Sequence, residues 1–351
     1  MTKKVTIDLR ASGLFGPSCK CLEMFEDLRY RGYEINLIAQ EWSSSTTSGL
    51  VYDEKTRKYL PGDSQYLFDP TTHPRDFYEN LVVPTFSNLN YITHRKKSSR
   101  ILRFLSMFAR AFSPRYFSHV DFVSTYMEPL ERVRYHQQKV DHFFTKPSIK
   151  QFIYYIYFVL QLKLFSHLKI YSDSKGFRYQ LTPSLLDDRV LDYIKKAKQN
   201  SARYVLISAN WDDAKLYEKQ DDRLRGVLYE EVEFMSMVRF VQDLDQYAKQ
   251  GKIKFVLASK KAVDWPKIIE NEFLDLREFE KLGFTLSQSI YILQEITSMT
   301  INWPSTFSIW MTNCTGILHL TWRDNKDTAR WARNNLHKEP VERALKLIGV
   351  V

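Results

Sequence analysis

Cysteine is scarce and poorly placed for a framework. The 351-residue chain has three, Cys19, Cys21 and Cys314, an odd number without a CxxC pair. That excludes a disulfide scaffold and points to a reducing compartment. Glycine (11) and proline (12) are also few. No low-complexity tract or fixed-period repeat is present, which excludes collagenous, linker and solenoid architectures. Long apolar runs are missing as well. The longest, Phe152 to Leu162 in QFIYYIYFVLQLKLF, falls short of the roughly 20 residues a membrane-spanning helix needs and reads as a buried helix. Met1 leads through Thr2, Lys3 and Lys4 into a strand-like segment without the apolar core of a signal peptide, so the expected location is the cytoplasm.

Several chemistries are excluded by the same route. The eight histidines show no HExxH spacing, and only Cys19 and Cys21 lie close together, so no metal site is expected. There is no GxSxG elbow, no GxxxxGK[ST] loop and no GxGxxG, which argues against a serine hydrolase, a P-loop kinase and a dinucleotide oxidoreductase. What is abundant is positive charge, a formal +10, which raises the expectation of a polyanionic partner: nucleic acid, an anionic membrane surface or a phosphorylated substrate. Aromatic residues reach 15%, suited to clefts and interfaces but equally to dense cores.

The chain opens with KVTIDLR, a loop ASGLFGPS, then Leu22, Phe25 and Leu28 at helical spacing, Gly32 as a stop, and EINLIA. That is a βαβ unit. Between about residues 41 and 100, clusters of Ser, Thr, Pro and Asn predict long irregular surface. Residues 98–112 set Ile101, Leu102, Leu105, Phe108, Ala109 and Phe112 along one helical stripe, and residues 94–110 carry six Lys or Arg and no acid. Three readings stand: a core helix with a solvated basic face, a basic amphipathic helix at an anionic bilayer (residues 94–112), and, last, nucleic-acid binding, which no zinc or RNP-like motif supports.

The second half alternates more regularly. YVLIS, then a helix carrying Met235, Val238, Val241, Leu244 and Ala248 and stopped by Gly251, then KFVLAS. A helix follows with Leu286, Ile290, Leu293 and Ile296 on one face and Ser287 as a candidate cap, then TIN and GILHL. Short apolar strands alternating with helices predict a parallel, doubly wound sheet. The expected division is residues 1–184 as a first α/β domain with a mainly helical, basic insertion, 185–335 as a second, and 336–351 as a terminal helix.

In such sheets ligands lie at the carboxyl ends of strands, where helix N-termini offer unpaired N–H groups. Asn302 ends a strand, Pro304 suits a helix start, and Ser305 and Thr306 open the helix with hydroxyls that can cap it or donate to phosphate oxygens. Other strand ends supply Asn210 for a sugar or base, Trp211 for stacking, Lys260 or Lys261 to neutralise a diphosphate, and Gly13 and Gly16 for close backbone approach, a plain turn being the alternative for the last two.

The order of YVLISANWDD, a long helix, KFVLASKK and SQSIYILQEITSMTINWPSTFSIWMTNCTGILHL resembles the donor half of GT-B glycosyltransferases, in particular the fucosyltransferase-like group. The resemblance covers roughly residues 200–322 and rests most on Asn302, Ser305, Thr306, Phe307, Ser308 and Trp310. It implies two Rossmann-like domains facing a cleft and a nucleotide-sugar donor, a GDP-sugar ahead of others. It also implies a glycan or lipid-linked acceptor and no obligatory metal. That group usually carries a His-x-Arg-Arg-Gly-Asp-like segment after the first donor-domain strand, where this chain has SANWDD. An inverting transfer also needs a general base, for which Asp8 and Glu41, at the ends of the first two strands, are candidates. The competing classes are a non-catalytic α/β binding protein using its basic region, and a transferase of phosphorylated or sulfated groups.

Overall fold

The computed structural model describes residues 3–8, 22, 25, 28–29, 32–40, 50–53, 58–61, 73–94, 116–118, 176–208, 224–258, 269–302, 311, 314–322, 335–337 and 339–351. The chain divides into two compact units, Met1–Glu41 with Phe86–Ser174, and Trp42–Thr85 with Lys175–Val351. Sequence reading placed all of residues 1–184 in the first domain. The structure instead groups residues 42–85 with the second half of the chain.

In the first unit, β1 (Lys3–Asp8) and β2 (Tyr33–Gln40) are parallel neighbours. Between them Leu22, Phe25 and Leu28 are helical and buried, as their spacing predicts. Gly32, at φ 72°, occupies the left-handed region that a side chain would disfavour. The ring of Phe25 meets Phe86 edge-on at 5.7 Å.

Two antiparallel strands of the second unit, β3 (Leu50–Asp53) and β4 (Lys58–Pro61), pair with each other. Helix α1, residues 73–85, contains a π-turn over Tyr78–Val82 just before Pro84 and buries Phe77, Tyr78, Leu81 and Val82. Proline has no N–H to donate, and the Asn80 carbonyl accepts from the Thr182 N–H at 3.0 Å. Strand β5 (Leu89–His94) then joins β2 in the first unit, and β6 (Tyr116–Ser118) joins β1. The stretch expected to be irregular therefore holds two strands, a helix and a sheet strand. Pro61 and Pro84 fall at the ends of β4 and α1, and Asn88 lies just before β5.

The rest of the second unit follows the expected alternation. Helix α2 (Asp188–Gln199) is capped by Asp187, whose side chain accepts from the Val190 N–H at 3.0 Å. After it come β7 (Arg203–Ser208), α3 (Leu224–Lys249), β8 (Ile253–Leu257), β9 (Phe273–Asp275) and α4 (Arg277–Lys281). They are followed by α5 (Leu286–Ile296), β10 (Thr297–Asn302), β11 (Leu318–Thr321), β12 (Asn335–His337) and α6 (Val341–Leu347). Helix α3 ends in a Schellman turn, Gly251 at φ 70° with the Lys252 N–H reaching the Tyr247 carbonyl at 3.1 Å. Val238, Val241 and Leu244 of α3 are buried as expected; Met235 is 45% exposed, and Met237 and Phe240 take its place inside.

The expected face of α5 is buried, but its cap is Thr285, not Ser287. Thr285 and Gln288 form a reciprocal capping box. Ser287 is the second residue of the helix, donating through its hydroxyl to the Asp76 carbonyl and through its N–H to the Asp76 carboxylate, both at 2.8 Å. That contact ties α1 to α5.

All pairings in the six-stranded sheet are parallel, in the order β12-β11-β10-β7-β8-β9. Alternation sends Val205, Ile207, Met299, Ile301 and Leu320 into one core with α3 and α6 residues such as Met237, Val241 and Leu345. Trp322 packs there against Phe240, 4.7 Å between ring centres. The chain is thus an α/β protein built on two parallel sheets.

Candidate functional site

Strand order decides where each sheet can hold a ligand. In the six-stranded sheet the chain starts at the centre with β7, runs outward through β8 and β9, then returns to the other side of β7 with β10 and continues to β12. The reversal falls between β7 and β10, and the crevice of a doubly wound sheet opens outside the carboxyl ends of the two strands that flank such a reversal. Those ends are Ser208 and Asn302, directly opposite each other in register and both buried. The first unit repeats the pattern: its order β5-β2-β1-β6 reverses between β1 and β6, whose last residues Asp8 and Ser118 are register partners.

Two residues singled out from sequence, Asn302 and Asp8, therefore stand at the two reversal points, one in each unit. Asn210, Trp211, Lys260, Ser305, Thr306, Phe307 and Ser308 lie outside the described residues. So do Gly13, Gly16, Glu41 and the basic run after His94.

Behind Asn302 the sheet carries a chain of buried polar groups. Thr300 and Asn302 share one face of β10, and His319 on β11 is the register partner of Thr300. The Asn302 side-chain amide donates to Thr300 Oγ1 at 2.8 Å, Thr300 Oγ1 meets His319 Nδ1 at 2.7 Å, and His319 Nε2 lies 3.1 Å from the Cys314 carbonyl. Asn302 is 2% exposed, Thr300 and His319 not at all. Burial is the larger influence on the imidazole and pushes its pKa down to about 4, against a smaller opposing pull from the Cys314 carbonyl. The ring is therefore neutral at pH 7. Burial likewise raises the Cys314 thiol well above its ordinary value, which keeps it from acting as a thiolate nucleophile.

The other oxygen of this chain, Asn302 Oδ1, is buried and accepts no hydrogen bond. Thr300 and His319 were not among the residues chosen from sequence. The signal for them was faint, because β10 (TSMTIN) and β11 (LHLT) alternate polar with apolar residues; only the burial of the polar face shows that its groups must be paired.

The opposite, amino-terminal ends of β7 and β10 border a cavity of about 610 Å³ whose charged lining is Arg178, Lys198, Arg203 and Glu295. Glu295 accepts from Lys198 Nζ at 2.7 Å and from Arg178 Nη2. Burial works to raise its pKa, but the two hydrogen bonds and the charges behind them outweigh it and hold the carboxyl below its usual value. This cluster clasps residue 178 and α2 to the end of α5. Among the described residues no group of three or more His, Cys, Asp or Glu is placed to hold a metal ion.

No family model matches the chain, and no curated protein matches it. Among solved structures, the crystal structure of a sialyltransferase from Photobacterium damsela aligns with 99% of this chain and 79% of its own. The TM-score is 0.28 and the identity 9%, a likeness too weak to establish a shared fold or activity.

Proposed function

We propose that the chain is a nucleotide-sugar-dependent glycosyltransferase of the GT-B type, with its two parallel-sheet units as the acceptor-side and donor-side domains. The observation that carries this reading is the reversal of strand order between β7 and β10, which sets Asn302 at the mouth of the crevice with an unsatisfied buried oxygen. The segment that follows, Pro304 to Ser308, carries the hydroxyls that the sequence motif assigns to the donor. The recurrence of the same reversal in the first unit, ending at Asp8, supports a two-domain enzyme.

In this reading the acceptor hydroxyl attacks the sugar's anomeric carbon and the bond to the nucleoside diphosphate breaks. The acceptor proton passes to a carboxylate, for which Asp8 and Glu41 are the candidates. Ser305, Thr306 and Lys260 stabilise the departing diphosphate. Asn210, Trp211, Phe307 and Ser308 complete the donor site, a GDP-sugar being the first donor to test. The acceptor is a glycan or a lipid-linked glycan, and the product a surface polysaccharide or glycoconjugate. No helix among the described residues is long and apolar enough to cross a membrane. A cytoplasmic enzyme held at the inner membrane face by residues 94–112 fits a lipid-linked acceptor.

The test is a thermal-shift screen of GDP, UDP, CMP, ADP and their sugars on the wild type and on Ser305→Ala/Thr306→Ala. A ligand at a hundred times its Kd should add about 2.7 kcal/mol, or roughly 5–10 °C. One nucleotide family should give that shift and the double variant should lose it. No shift with any of them, from a protein that unfolds cooperatively, would sink the enzyme reading and favour a non-catalytic α/β binding protein.

A further inference from the structure

The buried polar chain on β10 and β11 has a direction, and the direction determines what Asn302 can recognise. A carbonyl oxygen only accepts, so the Cys314 carbonyl requires the proton of His319 to be on Nε2. Nδ1 is then a bare acceptor, and the hydroxyl 2.7 Å away must donate to it. With its proton committed, Thr300 Oγ1 can only accept from Asn302, so the –NH2 half of the amide turns inward at 2.8 Å. Oδ1 is therefore held in the opposite direction, where it accepts nothing. Each step excludes the alternative tautomer or the flipped amide, because either would set two donors or two acceptors against each other.

We propose that Thr300 and His319 are positioning residues that lock Asn302 Oδ1 as an acceptor for a neutral donor group of the bound ligand, a sugar hydroxyl or a base N–H. The inference rests on the glycosyltransferase reading for the identity of the ligand, and on geometry alone for the orientation of the amide. It also divides the labour of the motif. Phosphate oxygens at neutral pH are acceptors, so a fixed carbonyl oxygen repels them. Asn302 reads the nucleoside or the sugar, while Ser305 and Thr306 take the diphosphate. An acceptor buried without a partner costs as much as a lost hydrogen bond, and a ligand donor removes that cost only when it is bound.

Two measurements on the full chain test this. The first is the tautomer of His319, read from the imidazole ¹⁵N shifts of the ligand-free protein with ¹⁵N-histidine, assigned by His319→Gln. An Nε2–H tautomer is expected; an Nδ1–H tautomer overturns the orientation of the amide whatever the protein binds. The second is calorimetric titration with inorganic pyrophosphate, with the nucleoside diphosphate found by screening and with its sugar. It compares the wild type with Thr300→Val, which removes the relay, and Thr300→Ser, which keeps it.

Thr300→Val should bind the nucleotide about tenfold more weakly and pyrophosphate unchanged, with Thr300→Ser restoring affinity. A loss seen with the nucleoside diphosphate places the donor group on the nucleoside, and a loss confined to the nucleotide-sugar places it on the sugar. Equal weakening of pyrophosphate, or no weakening of any ligand, overturns the assignment of Oδ1. An Nε2–H tautomer in a protein that binds none of these probes leaves the relay standing and overturns both the ligand assignment and the glycosyltransferase reading.

Discussion

His319 should make the six-stranded sheet acid-sensitive over a pH range in which carboxylates contribute little. Burial lowers its pKa from 6.5 to about 4 in the folded chain, so below pH 6.5 the unfolded chain binds a proton that the folded chain refuses. Stability from this residue is complete above pH 6.5, falls as pH drops through the interval and is fully lost below about 4. With one pKa unit equivalent to about 1.4 kcal/mol, the whole interval is worth about 3 kcal/mol. Glu295, whose carboxyl is held below its ordinary 4.5, adds stability that is present above that value and lost only as pH falls through its lowered folded value.

Stopping at pH 5 keeps the two apart and leaves about 2 kcal/mol, or roughly 30-fold in the opening equilibrium, to His319 alone. Because the chain has two units, a global melt is the wrong probe. Hydrogen exchange in peptides covering β10 and β11, corrected for the intrinsic rate, reports the opening of this sheet directly. The wild type should lose that 2 kcal/mol between pH 6.5 and 5, and His319→Gln should be flat over the same range whatever its starting stability. Equal slopes in the two proteins, or an imidazole that titrates near 6.5 in the native state, would refute the reasoning.

Two further outcomes follow from single features. Thr285→Ala removes the side chain that receives the Gln288 N–H and opens the capping box of α5; exchange in α5 peptides should show a loss of about 1 kcal/mol, and Thr285→Ser should recover most of it. Changing Arg100, Arg103 and Arg110 to Glu together should abolish co-sedimentation with anionic liposomes at low salt, and unchanged binding would refute residues 94–112 as the segment that touches lipid.

The parts of this protein that could be read from sequence are those governed by local periodicity. Leu22, Phe25 and Leu28 between β1 and β2, the buried face of α5 and the strands around Ile7, Ile207, Phe255 and Ile301 obey spacings of three to four or two residues, and the structure buries their apolar residues accordingly. What escaped was set by partners far along the chain. Ser287 looks like a cap until Asp76, 211 positions away, is seen to hold both its N–H and its hydroxyl; with that pairing made, the cap falls to Thr285. Helix α1 was hidden by Pro84, whose lost hydrogen bond is made good by Thr182 from beyond residue 180.

Strand order belongs to the same class. Nothing local to TSMTIN says that it returns to the side of β7, yet that return is what turns Asn302 from a strand end into a residue at the reversal of strand order. The Thr300–His319 pair lies between these extremes. Its two members are 19 residues apart, too far for a motif, and each lies on the polar face of an alternating strand that the fold buries. A buried strand that tolerates a histidine and a threonine must pair them, and register makes the adjacent strand's polar residue the first candidate. Followed one position further, the same rule requires a partner for Asn302, whose remaining oxygen has none within the sheet. Once the sheet is known to be buried on both faces, its unmet polar groups are thus the feature that leads to this site without any resemblance to guide it.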